Sequence, residues 1–480
     1  MMGRHEPPKD SLFIYNLHLE DRVRSDHPLR RIAACIDFDF IYGEVQNTYG
    51  TRGNVSVPPP VILKLMFLLI FYNVRSEREL METIPERLDW LWFLGYTLDS
   101  PIPDHSVLSK ARKRWGQEAF RRFFEAIVTQ CVCAGLVDGT TLFMDASLIA
   151  AHASTASVVT TSLKPYLAQG YRILEERLTG DDDAPRSRSD VNKRYRSTTD
   201  PDASIVRQGG KPRLYYTTHR AVDPAHEIVT AVTVTPGSVN EAHRMAGLIT
   251  DHEQHTHHTV RTVVADSKYG TIDNLLFCHD HAITPHIPVL KKSHEGKGSK
   301  KDIFPDTDFT YDQETDTMIC PAGTVLRKRT FHVTRQSTEY IGSRKVCAAC
   351  SLKPRCTKNA LGRTVTRHIR KDAIDAMTAM TSTACAQRNI TLRQSLMERS
   401  FARGTRYGFD EARWRGLGKV SIQEYLTCAI QNIQVLIHHL HKPHSGIRAL
   451  PLRRLMEQAV GVLQHMHTGL SATACCLHRN

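Results

Sequence analysis

Hydrophobic residues recur at helical spacing over the first quarter of the chain. Residues 76–79, Ser-Glu-Arg-Glu, have the form of a helix-capping box, and apolar side chains follow at positions 80, 81, 84 and 88. The prolines at 58–60 begin an earlier helix, because proline fits the first helical turn. We therefore predict an all-helical domain over residues 1–135.

From residue 140 the pattern changes to short apolar runs of strand length. A helix is predicted over 271–279, and helical spacing returns over 385–404 and 418–441. Strands with helices between and after them predict an α/β core. The predicted strands are 141–146, 213–219, 227–234, 261–266 and 282–288.

The order of these patterns predicts how the chain is divided. Residues 291–375 form a basic, cysteine-bearing segment without long periodicity, which interrupts the α/β core. The predicted regions are a helical domain (1–135), the first part of the core (136–290), the insertion (291–375), the helical completion of the core (376–445) and a basic C-terminal tail (446–480).

Composition and charge narrow the choice of partners. The chain has 480 residues, 41% of them hydrophobic, which is enough for several domains with their own cores. Its 63 lysines and arginines against 50 acidic residues give a formal charge of +13, which favours nucleic acid or an anionic membrane surface. The longest apolar run, 60–72, is too short to span a membrane and contains Lys64. No signal peptide is recognisable, so we expect a cytoplasmic protein whose 12 cysteines are reduced thiols or metal ligands.

Cations are concentrated on one short predicted helix, residues 106–115. With the turn before it, this segment fits a helix-turn-helix in which it enters a DNA groove. A solvated basic face that covers the core is the alternative interpretation. The chain contains no phosphate-binding loop of the form Gly-x₄-Gly-Lys-Ser/Thr, so ATP hydrolysis is not expected. The cations of this helix are Lys110, Arg112, Lys113 and Arg114.

Two predicted strands each end in an aspartate, Asp145 and Asp266, and a third acid, Glu398, lies far downstream in an amphipathic segment. A carboxylate at the end of a buried strand is costly unless a cation or hydrogen bonds compensate it. Hard oxygen ligands suit Mg²⁺ or Mn²⁺, and such a site in a basic protein points to phosphodiester chemistry. For either aspartate alone, a cap or turn residue is the simpler interpretation.

Glu411 competes with Glu398 for the third position. Leu392, Leu396 and Phe401 mark a buried stripe at helical spacing, which leaves Glu398 near the border of that stripe. Glu411 follows a glycine-containing loop sequence, where a solvated charge is the better interpretation.

Four cysteines of the insertion are spaced like a metal site. Cys320 is followed by Cys347-Ala-Ala-Cys350 and then by Cys356. Two close thiols and two flanking ones can supply the tetrahedral coordination of a structural Zn²⁺ ion. A set of reduced, buried thiols is the alternative.

Taken in order, these motifs resemble the DDE transposases of bacterial insertion sequences, in the branch with an N-terminal helical domain. The resemblance implies an RNase H-like mixed sheet with flanking helices, with Asp145 and Asp266 as the catalytic aspartates and Glu398 as the catalytic glutamate. The matching segments, spread over residues 10–440, are 22–31, 76–80, 103–106, 143–146, 199–203, 264–270 and 416–420.

The family implies both a reaction and partners. The three acids would hold Mg²⁺ or Mn²⁺ for cleavage at the ends of the element and for transfer of the 3′-hydroxyls to target DNA, without ATP. The implied partners are the terminal inverted repeats, the target DNA and a second copy of the chain on paired ends. A metal-dependent nuclease without strand transfer and a DNA-binding regulator descended from an inactive enzyme are the alternatives.

The sequence departs from the family pattern around the glutamate. Related transposases often have a tyrosine seven and an arginine four positions before it, and a lysine seven positions after it. This chain has Thr391, Gln394 and Thr405 at those positions. The nearby cations that are candidates for the missing DNA contact are Arg393, Arg403 and Arg406.

Overall fold

The computed structural model describes Met2 and residues 18–160, 189–288 and 303–440. The chain splits into two units: unit 1 comprises Met1–Val260 and Arg393–Asn480, and unit 2 is Arg261–Leu392. The predicted tail, 446–480, lies outside the described residues, and the predicted five-region division stays a prediction.

Helices occupy the N-terminal part of unit 1, as the spacing of apolar residues predicts. They are α1 (Leu19–Arg22), α2 (Pro28–Cys35), α3 (Ile41–Val45), α4 (Pro59–Phe71), α5 (Glu77–Thr83), α6 (Leu88–Leu94), α7 (Ser106–Trp115) and α8 (Glu118–Cys133). Two prolines open α4, which is buried along most of its length. The Ser76 hydroxyl accepts a hydrogen bond from the Glu79 amide at 3.1 Å and so caps α5, as predicted.

The strands of unit 1 form an antiparallel sheet around one long strand, β5. They are β1 (Thr141–Ala150), β2 (Val158–Thr160), β3 (Tyr195–Ser197), β4 (Ser204–Gln208), β5 (Lys211–Asp223) and β6 (Ile228–Pro236). β5 pairs with β1, β4 and β6, whereas β2 and β3 form a separate pair. In the β1–β5 register Asp145 lies opposite Arg220, so both side chains project from the same face of the sheet.

In its described residues, unit 1 also contains α9 (Ser189–Arg194), α10 (Met245–Thr256) and α16 (Leu417–Leu440). α16 is buried along most of its length and packs against α8, β6 and α4. It therefore joins the N-terminal helices and the sheet into one hydrophobic core.

Unit 2 begins with a strand, a helix and a second strand, as predicted. β7 (Thr262–Val264) and β8 (Thr284–His286) are parallel, and α11 (Ile272–Asp280) connects them. Four further helices follow: α12 (Arg344–Ala348), α13 (Lys353–Cys356), α14 (Lys371–Met380) and α15 (Ala384–Thr405), the last of which continues into unit 1.

The insertion contains a second sheet, which the sequence did not predict. Its strands are β9 (Thr310–Asp312), β10 (Thr317–Ile319), β11 (Val325–His332), β12 (Ser337–Ile341) and β13 (Thr364–His368), all antiparallel neighbours. Its core is small, with five buried residues: Phe309, Met318, Leu326, Tyr340 and Val365. Two strands of three residues and a mostly exposed β11 give no clear alternation of apolar and polar positions, which explains why the pattern was missed.

The described chain is thus a mixed α/β protein, with a helical N-terminal region followed by sheets and flanking helices, which confirms the predicted fold class. Among the described helices, none has both the length and the apolar character needed to cross a membrane.

Candidate active site

Asp145 lies in the middle of β1 rather than at its end, because the strand continues to Ala150. Its side chain is 25% exposed. One carboxylate oxygen accepts a hydrogen bond from the Ala146 amide at 2.8 Å. The other accepts one from the Arg393 guanidinium, also at 2.8 Å. The prediction that Asp145 ends its strand was wrong, but the prediction that a half-buried acid needs compensation holds for this residue.

Arg393 supplies that compensation from α15. The residue is only 9% exposed, so its charge lies almost entirely inside unit 1. Besides Asp145, its guanidinium reaches the Met144 carbonyl at 3.5 Å, which is a weak contact. A buried guanidinium without a carboxylate partner is costly, and Arg393 and Asp145 therefore stabilise each other's charge.

Among the described residues, Asp145 and Glu241 are candidate oxygen ligands for a metal ion. Asp145 and Glu241 belong to unit 1, and each places a carboxylate oxygen within 4.8 Å of the other. Glu241 begins the short 3₁₀ helix Glu241–Arg244, which leads directly into α10. Asp266, the second predicted aspartate, belongs to unit 2.

Glu241 was missed by the sequence reasoning. The sequence prediction used acids at the last position of an apolar strand. Glu241 instead follows the end of β6 at Pro236 after four intervening residues. The available signal was the same strand-then-acid order with a short loop in between. A strand followed by a loop acid is common in α/β proteins. It indicates a metal site only when a second acid lies nearby in space.

Asp266 follows β7 by two residues and caps the 3₁₀ turn Ser267–Tyr269. One of its carboxylate oxygens accepts a hydrogen bond from the Lys268 amide at 3.0 Å. The cap anticipated as the simpler interpretation is therefore present. A cap of this kind occupies one oxygen and fixes the orientation of the carboxylate.

Glu398 lies on the exposed side of α15, within unit 1. It accepts a hydrogen bond from the Gln394 side chain, one turn earlier, at 3.3 Å. Among the described residues it is not one of the acids grouped with Asp145, and its catalytic role stays a prediction. The predicted buried stripe was wrong at Leu392, which is 47% exposed. The buried positions are Arg393, Leu396, Met397 and Ser400.

The loop after α15 contains the rival acid, Glu411, which is exposed as expected for a solvated charge. Its backbone is held against the end of β1: the Ala150 amide donates to the Asp410 carbonyl, and the Ala412 amide donates to the Ala150 carbonyl, each at 2.8 Å. The loop is thus an extension of the sheet and leaves Glu411 in solvent.

Beside Asp145, on the neighbouring strand β5, Arg220 forms a fully buried ion pair that fixes the sheet to the helices. The Arg220 guanidinium donates to a Glu424 carboxylate oxygen at 2.7 Å and to the Ser400 carbonyl of α15 at 3.1 Å. The rings of Phe401 and Phe409 each lie 4.9 Å from it. Although burial opposes its charge, Cys428 and Glu424 raise the pKa of Arg220, so the guanidinium stays protonated. The helix that carries Glu398 and Arg393 is therefore attached to β5 by a charged contact.

The predicted DNA-contacting cations differ in accessibility. On α7, Lys110, Lys113 and Arg114 are exposed, and the Arg114 guanidinium lies 4.6 Å from the Tyr49 ring. Arg112 is 7% exposed, forms an ion pair with Glu77 and stacks on a tryptophan ring, and burial lowers its pKa.

On the C-terminal side, Arg403 is ion-paired with Glu227, and Arg406 is exposed. DNA contact by all of these cations stays a prediction. Only the exposed cations can reach a DNA phosphate without a change in the fold.

Comparison with known families adds two matches. Residues 17–114 match a transposase domain (DUF772), and residues 319–437 match a transposase DDE domain. Glu398 lies inside the second match, whereas Asp145, Glu241 and Asp266 lie outside both. Among curated proteins no match to the chain is found.

Proposed function

The chain belongs to the DDE transposases, and on this basis we propose that it cleaves the ends of a bacterial insertion sequence and joins the resulting 3′-hydroxyls to target DNA. The observation that carries the proposal is the pair Asp145 and Glu241, whose carboxylate oxygens lie within 4.8 Å. Two carboxylates at this distance repel each other, and a divalent ion bound by both would remove that repulsion. Mg²⁺ or Mn²⁺ suits such oxygen donors.

We propose, from the family resemblance, that Asp266 of unit 2 and Glu398 of unit 1 are the other catalytic acids. Bound divalent ions would activate the attacking oxygen and stabilise the leaving oxygen of the phosphodiester. Asp145 and Glu241 supply the negative charge that holds the ions, and the cap at Asp266 fixes the direction of its carboxylate. In strand transfer the 3′-hydroxyl attacks phosphorus, one P–O bond forms as another breaks, and the hydroxyl proton passes to water. One diester replaces another, so no nucleotide energy is required.

Double-stranded DNA is the proposed partner, and the formal charge of +13 supports it. We propose that the exposed cations of α7 contact the terminal inverted repeats and that exposed arginines after Glu398, such as Arg406, contact flanking DNA. Two ends are cut together in this family, so a second copy of the chain on the paired end is part of the proposal.

Neutralising Lys110 and Lys113 should weaken DNA binding in a way that depends on salt. Each lysine that contacts a phosphate releases condensed counterions, so each Lys→Ala change should reduce the slope of log K against log salt by about 0.9. Filter binding or fluorescence anisotropy with an end-containing duplex measures this slope. Arg122→Ala is the matched control, because Arg122 is an exposed cation of α8 already paired with Glu118 and Glu125. An unchanged slope in both lysine variants would exclude α7 from the DNA contact.

Replacing Arg393 by Gln should increase the affinity of the DNA-free protein for Mn²⁺, by about tenfold if one unit charge is removed from the site. Arg393 donates a hydrogen bond to one oxygen of Asp145, and a divalent ion would compete with it for that oxygen. Electron paramagnetic resonance of free Mn²⁺ measures the affinity without any catalytic readout. Arg399→Gln is the control, since Arg399 lies on the same helix but pairs with Glu227. A weaker Mn²⁺ affinity in Arg393→Gln would mean that the arginine orients Asp145 rather than competing with the metal.

The proposed function is tested by supplying pre-cleaved element ends with exposed 3′-hydroxyls and a supercoiled plasmid, with Mg²⁺ or Mn²⁺. Joined products are expected from a transposase. Nicked or linearised plasmid without joining would favour the nuclease alternative. Specific binding of the ends with neither cleavage nor joining would favour a DNA-binding regulator descended from an inactive enzyme. The departures from the family pattern around Glu398 are the reason for testing this alternative.

A further inference from the structure

The four cysteines of the insertion converge on one cavity within unit 2. Cys320, Cys347, Cys350 and Cys356 all line it, together with Leu326 and Leu352. Each of the four thiols is half-buried. The free volume of the cavity is about 30 Å³, which has room for an ion but is far below the size of an organic cofactor site. The chain segments that bear these thiols are joined by the antiparallel sheet of the insertion and by its small apolar core.

The local backbone around the first thiol has the form of a ligand-bearing turn. After Cys320 the chain reverses at Gly323, whose φ of +77° is accessible to glycine at little cost. The Gly323 amide donates to the Cys320 carbonyl at 2.8 Å, and the Thr324 amide donates to the Cys320 sulfur at 3.3 Å. An amide aimed at a sulfur favours the negatively charged thiolate, which is the form that binds a metal.

Two glycines leave space for the thiol of Cys347. A Cβ at Gly342 would lie 2.8 Å from this sulfur, and a Cβ at Gly362 would lie 3.4 Å from it. Gly362 also has a φ of +110°, which side-chain-bearing residues rarely adopt. The backbone therefore approaches the sulfur more closely than any other residue type would permit. Packing alone does not require such a close approach to a half-buried cysteine.

Two cations, Arg363 and Lys353, line the same cavity, and Arg363 also forms an ion pair with Asp306 at 2.8 Å. The Arg363 guanidinium also donates to the Cys356 carbonyl at 3.2 Å and to the Phe304 carbonyl at 3.1 Å.

We propose that Cys320, Cys347, Cys350 and Cys356 bind one structural Zn²⁺ ion that holds the insertion together. Four sulfur ligands give the closed tetrahedral site of a structural zinc, with no position left for a substrate. A five-residue core is too small to stabilise a sheet of short strands by itself, and small modules of this kind commonly need a metal or disulfides. No three of these sulfurs lie within 4.8 Å of one another among the described residues. Zinc binding therefore requires the cysteine side chains to rotate towards the ion, and the thiols release their protons.

The first test is elemental analysis of the purified full chain, followed by replacement of the metal with Co²⁺. About one zinc per chain and the visible absorption of a tetrahedral thiolate–cobalt centre are expected. A chain that holds no zinc after purification with zinc in the medium, or a cobalt spectrum without thiolate charge transfer, would overturn the proposal. This measurement needs no variant and therefore does not depend on whether a mutant folds.

Variants then identify the ligands. Cys→Ser at each of the four positions should lower the zinc content and speed its release to a colorimetric chelator, whereas Cys385→Ser should behave as wild type. Cys385 is the matched control because it is an exposed cysteine of unit 2 on α15, away from the cavity. Zinc content equal to wild type in all four variants would contradict the assignment.

A variant of the acidic residues distinguishes zinc at the cysteines from metal bound at Asp145. Asp145→Asn should retain its zinc, because the proposed site lies wholly in the insertion. Loss of zinc in Asp145→Asn, with retention in the cysteine variants, would place the ion at the acidic residues and overturn this inference. Failure of strand transfer alone would count against the proposed function and would leave the zinc measurement unaffected.

Discussion

Changing Asp145 to Asn should reduce metal-dependent cleavage of element ends by on the order of 10³-fold, which corresponds to about 4 kcal/mol of lost transition-state stabilisation. The amide has nearly the shape of the carboxylate but lacks its charge, so it holds a divalent ion far less well. Binding of the end DNA should remain, because the proposed DNA contacts lie on other elements. Nicking of an end-containing plasmid and anisotropy with the same duplex measure the two effects separately.

Two comparisons make this result specific. Asp138→Asn should be nearly silent, since Asp138 is an exposed acid just before β1 whose carboxylate accepts a hydrogen bond from the Thr140 amide. Glu241→Gln and Glu398→Gln should each impair cleavage, with Glu411→Gln as the exposed control on the following loop. Wild-type nicking by Asp145→Asn would end the metal-centre proposal, and a silent Glu398→Gln would leave Glu241 as the acid from unit 1 that joins Asp145.

The secondary structure that positions Asp145 could be predicted from the sequence because its signals are local. A capping serine, consecutive prolines and short apolar runs each act within a few residues. The ends of the elements were less accurate. β1 continues five residues beyond Asp145 because its second half is completed by pairing with β5 and by the backbone of the loop at 410–412. Those partners are distant in sequence and leave no local mark.

The charged residues show more clearly what could not be predicted from the sequence. Arg112 and Arg393 lie in basic or amphipathic segments and were predicted to contact DNA, yet each is almost fully buried with an acidic partner. Their burial depends on Glu77 and Asp145, and periodicity in a single helix contains no information about such partners. Glu241 illustrates the converse case, since an ordinary loop acid acquires chemical interest only through its distance to Asp145.

Removing the charge of Glu424 should lower the free energy of unfolding by about 3–5 kcal/mol, the typical cost of leaving a buried partner charge uncompensated. Arg220 is fully buried, and its guanidinium has Glu424 as its carboxylate partner among the described residues. Glu424→Gln keeps the volume but leaves that charge in a medium of low dielectric constant. The double variant Arg220→Met, Glu424→Gln should recover part of the loss, because no buried charge then remains.

Chemical denaturation measures these differences, with Glu118→Gln as the control. Glu118 forms an exposed pair with Arg121, and such pairs contribute less than about 1 kcal/mol. Because Arg220 also donates to the Ser400 carbonyl of α15, the loss should be accompanied by weaker Mn²⁺ binding, even though Glu424 is not a metal ligand. A variant that loses stability but binds Mn²⁺ as tightly as wild type would show that α15 is held against the sheet by Arg393 and Asp145 rather than by the buried pair.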